Sequence, residues 1–195
     1  MITVLLIVVF LAVAFALWHE GLWSAMVMVL NTLFAASFAT AWYEWLVAAV
    51  RPLLESYDYL LDSLCLWGLF SLILLVLREI TDRVSRTKVR FRRPVELFGC
   101  PLVAVIGGWL MVCFTAASLH TAALPRDLVQ PTPEARMLFG LAPDRRWLAW
   151  VRGSSLSGPF ARPDHAFDPE ARFILDYATR RQQLESQPGL RVATP

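Results

Sequence analysis

The sequence ITVLLIVVFLAVAFALW, residues 2–18, is an unbroken apolar run near the start of the chain. Three more such runs follow at Leu22–Trp42, Tyr59–Leu77 and Leu97–Leu119. A helix needs about 20 apolar residues to cross the hydrocarbon core of a bilayer, and each run is close to that length. Because a helix satisfies its own backbone hydrogen bonds in lipid, the four runs predict an all-α fold built on a four-helix transmembrane bundle.

The overall composition agrees with a membrane protein. Of the 195 residues, 57% are hydrophobic and only 17% are charged, against about 25% charged in ordinary soluble proteins. The formal net charge is +2, which is too small for a surface that follows nucleic-acid phosphates. We therefore expect the lipid bilayer as the main partner and no nucleic-acid partner.

The chain divides into two parts near Leu119. Residues 1–119 contain the four apolar runs and form the predicted four-helix transmembrane domain. Residues 120–195 contain nine of the twelve prolines and ten arginines, and are expected to form a polar, partly helical C-terminal tail outside the membrane. This tail has too few apolar residues for a core of its own, so we expect it to rest on the bundle, the bilayer or a partner.

Two short helices are expected in this tail. Pro143-Asp144 introduces a helix over Arg145–Val151 with Asp144 as its N-cap, because an aspartate at that position accepts hydrogen bonds from the first free N–H groups. Asp168-Pro169 introduces the second helix, over Ala171–Leu184. Between them, the serine- and glycine-rich residues 153–159 are expected to form a flexible loop.

Two segments allow alternative interpretations. Ala14-Phe15-Ala16 resembles a cleavage site, so the alternative for the first run is a signal peptide. Such peptides usually open with positive charge, which residues 1–4 lack. Residues 43–57 carry apolar side chains at near-helical spacing between runs two and three. They are interpreted either as an amphipathic helix lying in the membrane interface, bent at Pro52, or as an ordinary connecting loop.

The connection between runs three and four carries the densest positive charge in the chain. Only Glu79 and Asp82 oppose its seven basic residues, which are Arg78, Arg83, Arg86, Lys88, Arg90, Arg92 and Arg93. Short loops rich in lysine and arginine remain on the cytoplasmic side of the membrane. This basic loop therefore predicts that both termini lie on the non-cytoplasmic side.

Small and polar residues inside the runs indicate how the helices pack. Small side chains let helix backbones approach closely in lipid. They form one stripe in run four, made of Gly99, Cys100, Ala104, Gly107 and Gly108. A second stripe, in run two, is made of Thr32, Ala36 and Thr40. We expect these stripes to pack together, with a bend at Gly107-Gly108 as the alternative. Asn31 and Asp62 are the candidate polar residues within the membrane. Asn31 is expected to form an interhelical hydrogen bond, and Asp62 to cap its helix or to reach the interface.

The sequence contains no signature of catalysis. His19, His120 and His165 are scattered without metal-ligand spacing, no C-x-x-C motif is present, and residues 153–158 do not match the G-x-S-x-G nucleophile elbow. We therefore expect no enzymatic activity, no catalytic residue, no metal site and no cofactor.

The order of features resembles the colicin V production protein family, CvpA, over about residues 1–120. Glu20-Gly21 opens a long helix rich in small residues, Leu97-Phe98-Gly99 opens the fourth helix, and Gly107-Gly108 supplies a second glycine position within it. The resemblance implies a multi-pass protein of the bacterial inner membrane with a role in toxin production or export and in envelope maintenance. It implies no catalytic residue.

The residues leave two further functions open beside the one that the resemblance implies. The first is a small transporter or channel component that uses Asp62, Asn31 and the glycines of run four. The second is a structural subunit of a larger membrane complex, in which Trp147 and Trp150 dock the tail. A second copy of the chain or another membrane protein is the expected partner besides lipid.

Overall fold

The computed structural model describes residues 1–53, 58–85, 91–122, 124, 129, 132, 134–157 and 166–186. In that part of the chain all regular elements are helices. Four helices are long: α1 (Ile2–Glu20), α2 (Leu22–Val50), α3 (Asp58–Val84) and α4 (Arg93–Thr121). Two are shorter: α5 (Pro143–Leu156) and α6 (Phe173–Ser186). A short 3-10 turn (Arg51–Leu53) follows α2. By length and composition the four long helices can cross a membrane. The predicted all-α fold with four apolar helices is confirmed.

Gly21 separates α1 from α2. Its φ of 84° lies in the left-handed region, which glycine adopts readily and residues with a Cβ atom do not. A single residue therefore reverses the chain, and α1 and α2 form a tight antiparallel hairpin. Only residues 19–21 separate the first two apolar runs, and a link this short predicts the antiparallel connection that the structure has.

Helix α2 is longer than the apolar run that predicts it. Its 29 residues correspond to about 43 Å at 1.5 Å per residue, whereas the hydrocarbon core is about 30 Å thick. Residues 43–50 continue α2 and residues 51–53 form the 3-10 turn, so this part is neither a separate interfacial helix nor an ordinary connecting loop. Residues 54–57 of the same segment lie outside the described residues. The charged Glu44 does not end α2, which continues to Val50.

Helix α4 begins at Arg93, four residues before its apolar run. Pro94 occupies its first turn. Pro101 lies inside the helix, because the helix begins before the apolar run. A proline inside a helix removes one backbone hydrogen bond.

The four long helices pack side by side in the order α1, α4, α2, α3. Each runs antiparallel to the next in the chain, so the bundle has two distinct ends. We call the end with the Gly21 turn and the α3–α4 connection the loop end, and the opposite end, where α4 leads into the tail, the tail end. The N-terminus of α1 and the tail therefore lie on the same side of the bundle.

Apolar side chains cover much of the outer surface of the bundle. Leucines, valines and isoleucines that are 40% exposed or more recur along α1, α3 and α4, for example Val8, Leu75 and Leu102. A soluble protein rarely exposes so large an apolar surface, and lipid is the solvent that such faces require. The buried core lies between α2, α3 and α4 and continues into the tail through Trp147 and Phe173.

Helices α5 and α6 pack on the bundle at the tail end, so this part of the tail rests on the bundle. Helix α5 contacts α4 and α2, and α6 contacts α4. Asp144 is not the N-cap of α5, because Ala142 holds that position and Asp144 is buried in the first turn. Residues 153–156 continue α5 rather than forming a loop. Asp168 accepts a hydrogen bond from the backbone N–H of Arg172 at 2.6 Å, just before α6.

Candidate functional site: the junction of bundle and tail

Asp62, in the first turns of α3, is the buried carboxylate that joins the bundle to α6. It is only 4% exposed, and its Oδ2 atom forms an ion pair with Arg180. The same oxygen accepts a hydrogen bond from the Tyr177 hydroxyl at 3.0 Å. Both partners lie on α6, so the charge of Asp62 is compensated by the tail.

The contact extends from Tyr177 to the end of α2. The hydroxyl oxygens of Tyr177 and Tyr43 are 3.0 Å apart, and the Tyr43 hydroxyl is also 3.1 Å from Glu44 Oε1. Burial, together with the nearby charge of Asp62, raises the pKa of Tyr177 above its ordinary value. The hydroxyl of Tyr177 therefore keeps its proton at neutral pH and donates a hydrogen bond to Asp62.

A cavity of about 730 Å³ lies beside this contact, between α2 and the segment that leads into α6. That volume is within the range of small-molecule sites. Its lining mixes carboxylates and guanidinium groups with aromatic rings, including Glu44, Arg51, Asp176 and Phe173. Among the described residues, the lining includes five acidic and three basic side chains, so the cavity carries charges of both signs.

His120 and Asp144 form a second buried contact at the tail end. His120 Nε2 lies 3.1 Å from Asp144 Oδ2, and both side chains are 0% exposed. His120 occupies the last turn of α4 and Asp144 the first turn of α5, so the contact joins the end of one helix to the start of the other. Within the described residues, His120 Nδ1 and Asp144 Oδ1 have no hydrogen-bond partner.

Trp147 docks the middle of α5 into the bundle. Its indole is 3% exposed, its Nε1 donates to Thr40 Oγ1 at 3.1 Å, and its ring meets Phe114 edge to face with centroids 5.7 Å apart. Trp150 lies nearer the surface, 50% exposed, and donates to Ser37 at 3.2 Å. Trp147 therefore contacts the chain's own bundle and offers little surface to another protein.

The predicted stripe of small residues on α4 lies close to both α1 and α2. A Cβ atom at Gly107 would come within 2.3 Å of Leu17 and 2.8 Å of Val29, and one at Gly108 within 3.0 Å of the Phe10 carbonyl oxygen. The remaining members of the stripe face the loop-end half of α1 and α2: Gly99 lies against Leu22, Cys100 donates to the Trp18 carbonyl, and Ala104 packs with Leu17 and Ala25.

The counterpart stripe on α2 divides between different contacts. Ala36 is fully buried in the core that includes Phe114. The hydroxyl of Thr40 accepts a hydrogen bond from the indole N–H of Trp147. Thr32 donates to the carbonyl of Met28, one turn earlier in its own helix, at 2.8 Å. Helix α4 therefore packs on both α1 and α2, and α1 makes the closest approach at Gly107 and Gly108.

Asn31 lies far from Asp62, toward the loop end. Its amide donates to Thr81 on α3 at 2.9 Å, and it is one wall of a polar cleft of about 360 Å³ that also includes Glu20 and Asp82. Arg78 lies 3.9 Å from Glu20 and 3.8 Å from Asp82.

The basic residues between runs three and four lie at the loop end. Arg78 and Arg83 belong to α3, Arg92 caps the start of α4 and Arg93 is its first residue. Arg86, Lys88 and Arg90 lie outside the described residues.

The junction also contains residues that sequence reasoning did not assign to it. The Tyr177 hydroxyl binds Asp62, and no local sequence pattern predicts the pairing of Arg180 with Asp62 or of His120 with Asp144. The one available signal was the buried position of Asp62 in an apolar run, which requires a partner. Among the described residues, no three His, Cys, Asp or Glu side chains come together as metal ligands.

Compared with protein-family models, curated proteins and solved structures, the chain has no significant match.

Proposed function

We propose that this chain is a non-enzymatic scaffold protein of the bacterial inner membrane, whose docked tail presents a fixed platform on the non-cytoplasmic side. The resemblance to the CvpA family extends the proposal to a role in toxin production or export and in envelope maintenance. The observation that carries the proposal is the use of buried polar side chains. Asp62, His120 and Thr40 of the bundle all bind residues of the tail.

A fixed platform requires a tail that does not detach readily. The three contacts are spread over α3, α4 and α2, and on the tail side over Arg180, Asp144 and Trp147. Removing a buried polar group from its partner is costly, so each contact opposes detachment of α5 or α6. The geometry favours a rigid element suited to binding another protein over a mobile gate.

The proposed orientation follows from the distribution of charge. The loop end carries Arg78 and Arg83 on α3, Arg93 at the start of α4 and Arg92 just before it, and short basic segments are retained in the cytoplasm. The tail emerges from the opposite end, so it belongs on the non-cytoplasmic side. A reporter fused to the C-terminus tests this orientation: alkaline phosphatase activity is expected, and cytoplasmic GFP fluorescence would contradict it.

The alternative of a transporter receives less support from the geometry. A transport pathway needs polar groups near each other across the membrane, whereas Asp62 and Asn31 lie toward opposite ends of the bundle. Each is also engaged, Asp62 with Arg180 and Asn31 with Thr81. Asp62 lines the cavity beside α6, whereas Asn31 lines the separate cleft at the loop end.

Purification from membranes in a mild detergent tests the scaffold function. We expect the wild-type chain to co-elute with a defined partner, either a second copy or another membrane protein. The same complex should be lost or weakened in Trp147→Ala, which loosens α5, and retained in Trp18→Ala, whose exposed indole lies at the loop end. A chain that elutes alone, and that supports ion or solute flux in reconstituted vesicles, would contradict the proposal.

A further inference from the structure

Residues 137–142, between α4 and α5, form a tight left-handed turn with an unusual surface. Leu138, Phe139 and Ala142 have φ values of 50°, 54° and 46°, and Gly140 has a φ of 86°. Residues with a Cβ atom seldom adopt this conformation, and three of them do so here within five positions. Backbone strain of this kind persists where the surroundings hold it, often at functional segments.

The turn satisfies part of its own backbone hydrogen bonding. The N–H of Ala142 donates to the carbonyl of Met137 at 3.1 Å, and the N–H of Leu141 donates to the carbonyl of Leu138 at 3.0 Å. Non-helical backbone is excluded from hydrocarbon chiefly because its polar groups lack partners. The closed hydrogen bonds of this turn reduce that obstacle.

The side chains of the turn separate into an inner and an outer set. Met137 is buried and Leu138 packs beside it against a cluster formed by α1 and α4, which includes Leu6 and Val112. Phe139 and Leu141 point outward and are 84% and 45% exposed. The turn therefore displays two large apolar side chains while its inner side chains fix it to the bundle.

The position of this cluster along α1 indicates what surrounds the exposed side chains of Phe139 and Leu141. The 19 residues of α1 span about 28 Å, so nearly all of α1 is needed to cross a hydrocarbon core of about 30 Å. Leu6 and Val9, both in the cluster, lie about 6 and 10 Å along the helix from Ile2. Their sequence neighbours Leu5 and Val8 are exposed on the outer surface that lipid covers.

We propose that residues 137–142 dip into the tail-side leaflet and insert Phe139 and Leu141 among its acyl chains. The turn continues the lipid-facing surface of α1 and connects it to the docked helix α5. The tail is then held by hydrocarbon as well as by the bundle. This inference concerns lipid contact and is independent of whether the chain assembles with another protein.

Site-directed spin labelling tests the insertion in the full-length protein. Cys65, Cys100 and Cys113 are replaced by alanine, single cysteines are introduced as Phe139→Cys and Leu141→Cys, and the labelled proteins are reconstituted in vesicles of phosphatidylethanolamine and phosphatidylglycerol. Leu175→Cys on α6, where the native leucine is 53% exposed, is the matched control outside the membrane. Oxygen concentrates in lipid, whereas a nickel chelate stays in water.

At positions 139 and 141 we expect oxygen to relax the label several-fold more than the nickel chelate does, with the reverse order at position 175. The two positions are separate variants, so a substitution that prevents folding at one leaves the test to the other, and monodisperse elution in detergent identifies the folded proteins. If the label at either folded position follows the nickel-accessible pattern of position 175, the turn lies in water and the proposal is overturned.

Discussion

The two ends of the bundle use charged residues in opposite ways. At the tail end, Asp62 and Arg180 have side chains that are 6% and 29% exposed and lie 118 positions apart in sequence. At the loop end, Glu79 and Arg83 are 64% and 74% exposed and lie one helical turn apart. An exposed pair within one helix gains little free energy, whereas a buried pair between distant elements is costly to break. The charges at the tail end therefore fix the tertiary structure, whereas the exposed pair at the loop end contributes little to it.

The largest difference should come from the fully buried pair at the tail end. His120→Leu leaves Asp144 buried without its partner, and removal of one member of a buried pair costs about 3–5 kcal/mol. We expect a loss of this size in the free energy of unfolding, measured by denaturant titration in mixed micelles. The double variant His120→Leu/Asp144→Leu removes both polar groups and should recover most of the loss. A cost for His120→Leu below about 1 kcal/mol, typical of exposed pairs, would contradict the comparison.

A close approach in the middle of the bundle gives the next largest effect. A Cβ atom at Gly108 would lie 3.0 Å from the Phe10 carbonyl oxygen, and the backbone of α1 cannot yield as a side chain can. Gly108→Leu should therefore push α1 from α4 and cost about 1–3 kcal/mol, the usual cost of overpacking. Thermal unfolding in detergent measures the effect. The matched control is Gly153→Leu in α5, where an added Cβ atom meets no atom within 4 Å, and an equal loss in both variants would refute the close packing.

Asp62→Asn should have a smaller effect than the His120 variant, because Arg180 is partly exposed. The substitution removes the ion pair but keeps an oxygen that accepts the Tyr177 hydroxyl, so we expect a loss of about 1–2 kcal/mol, discounted for solvent at Arg180. Faster proteolysis of the tail, with the four long helices still protected, is the expected readout. Asp82→Asn at the loop end is the control and should leave the proteolysis rate unchanged. Equal rates for both variants would show that Asp62 does not hold α6.

The sequence predicts the parts of this fold that follow from local chemistry. The four spans are predicted because hydropathy acts on each segment separately, and the turn at Gly21 because the link is too short for another path. The predicted helix ends are wrong where a helix includes charged residues outside its apolar run, as at Glu44 and Arg93. Asp144 was interpreted as an N-cap because its partner His120 lies 24 positions away. The pairing of Asp62 with Arg180 depends on where α6 docks, which no local pattern encodes.

Alkaline pH should weaken the tail end specifically. The Tyr177 hydroxyl ionises near pH 10 in an unfolded chain, whereas in the folded protein burial and the charge of Asp62 raise its pKa. Above about pH 10 the folded state binds more protons than the unfolded state, so its stability falls as pH rises. Tyr177→Phe removes this contribution and should unfold with a weaker pH dependence over that range. Identical alkaline profiles for the two proteins would show that Tyr177 is not buried against Asp62.

The smallest effect is expected for the exposed pair at the loop end. Arg83→Gln removes an ion pair with Glu79 between side chains that are both mostly in water, and such pairs one turn apart contribute about 0.3–0.5 kcal/mol. The loss in unfolding free energy should stay within that range and should shrink further in high salt, since salt screens exposed charges. Orientation is the more sensitive property, because each arginine near a short loop favours cytoplasmic retention. A stability loss for Arg83→Gln as large as that for Asp62→Asn would mean that the two ends of the bundle do not differ in the way the burial of their charges indicates.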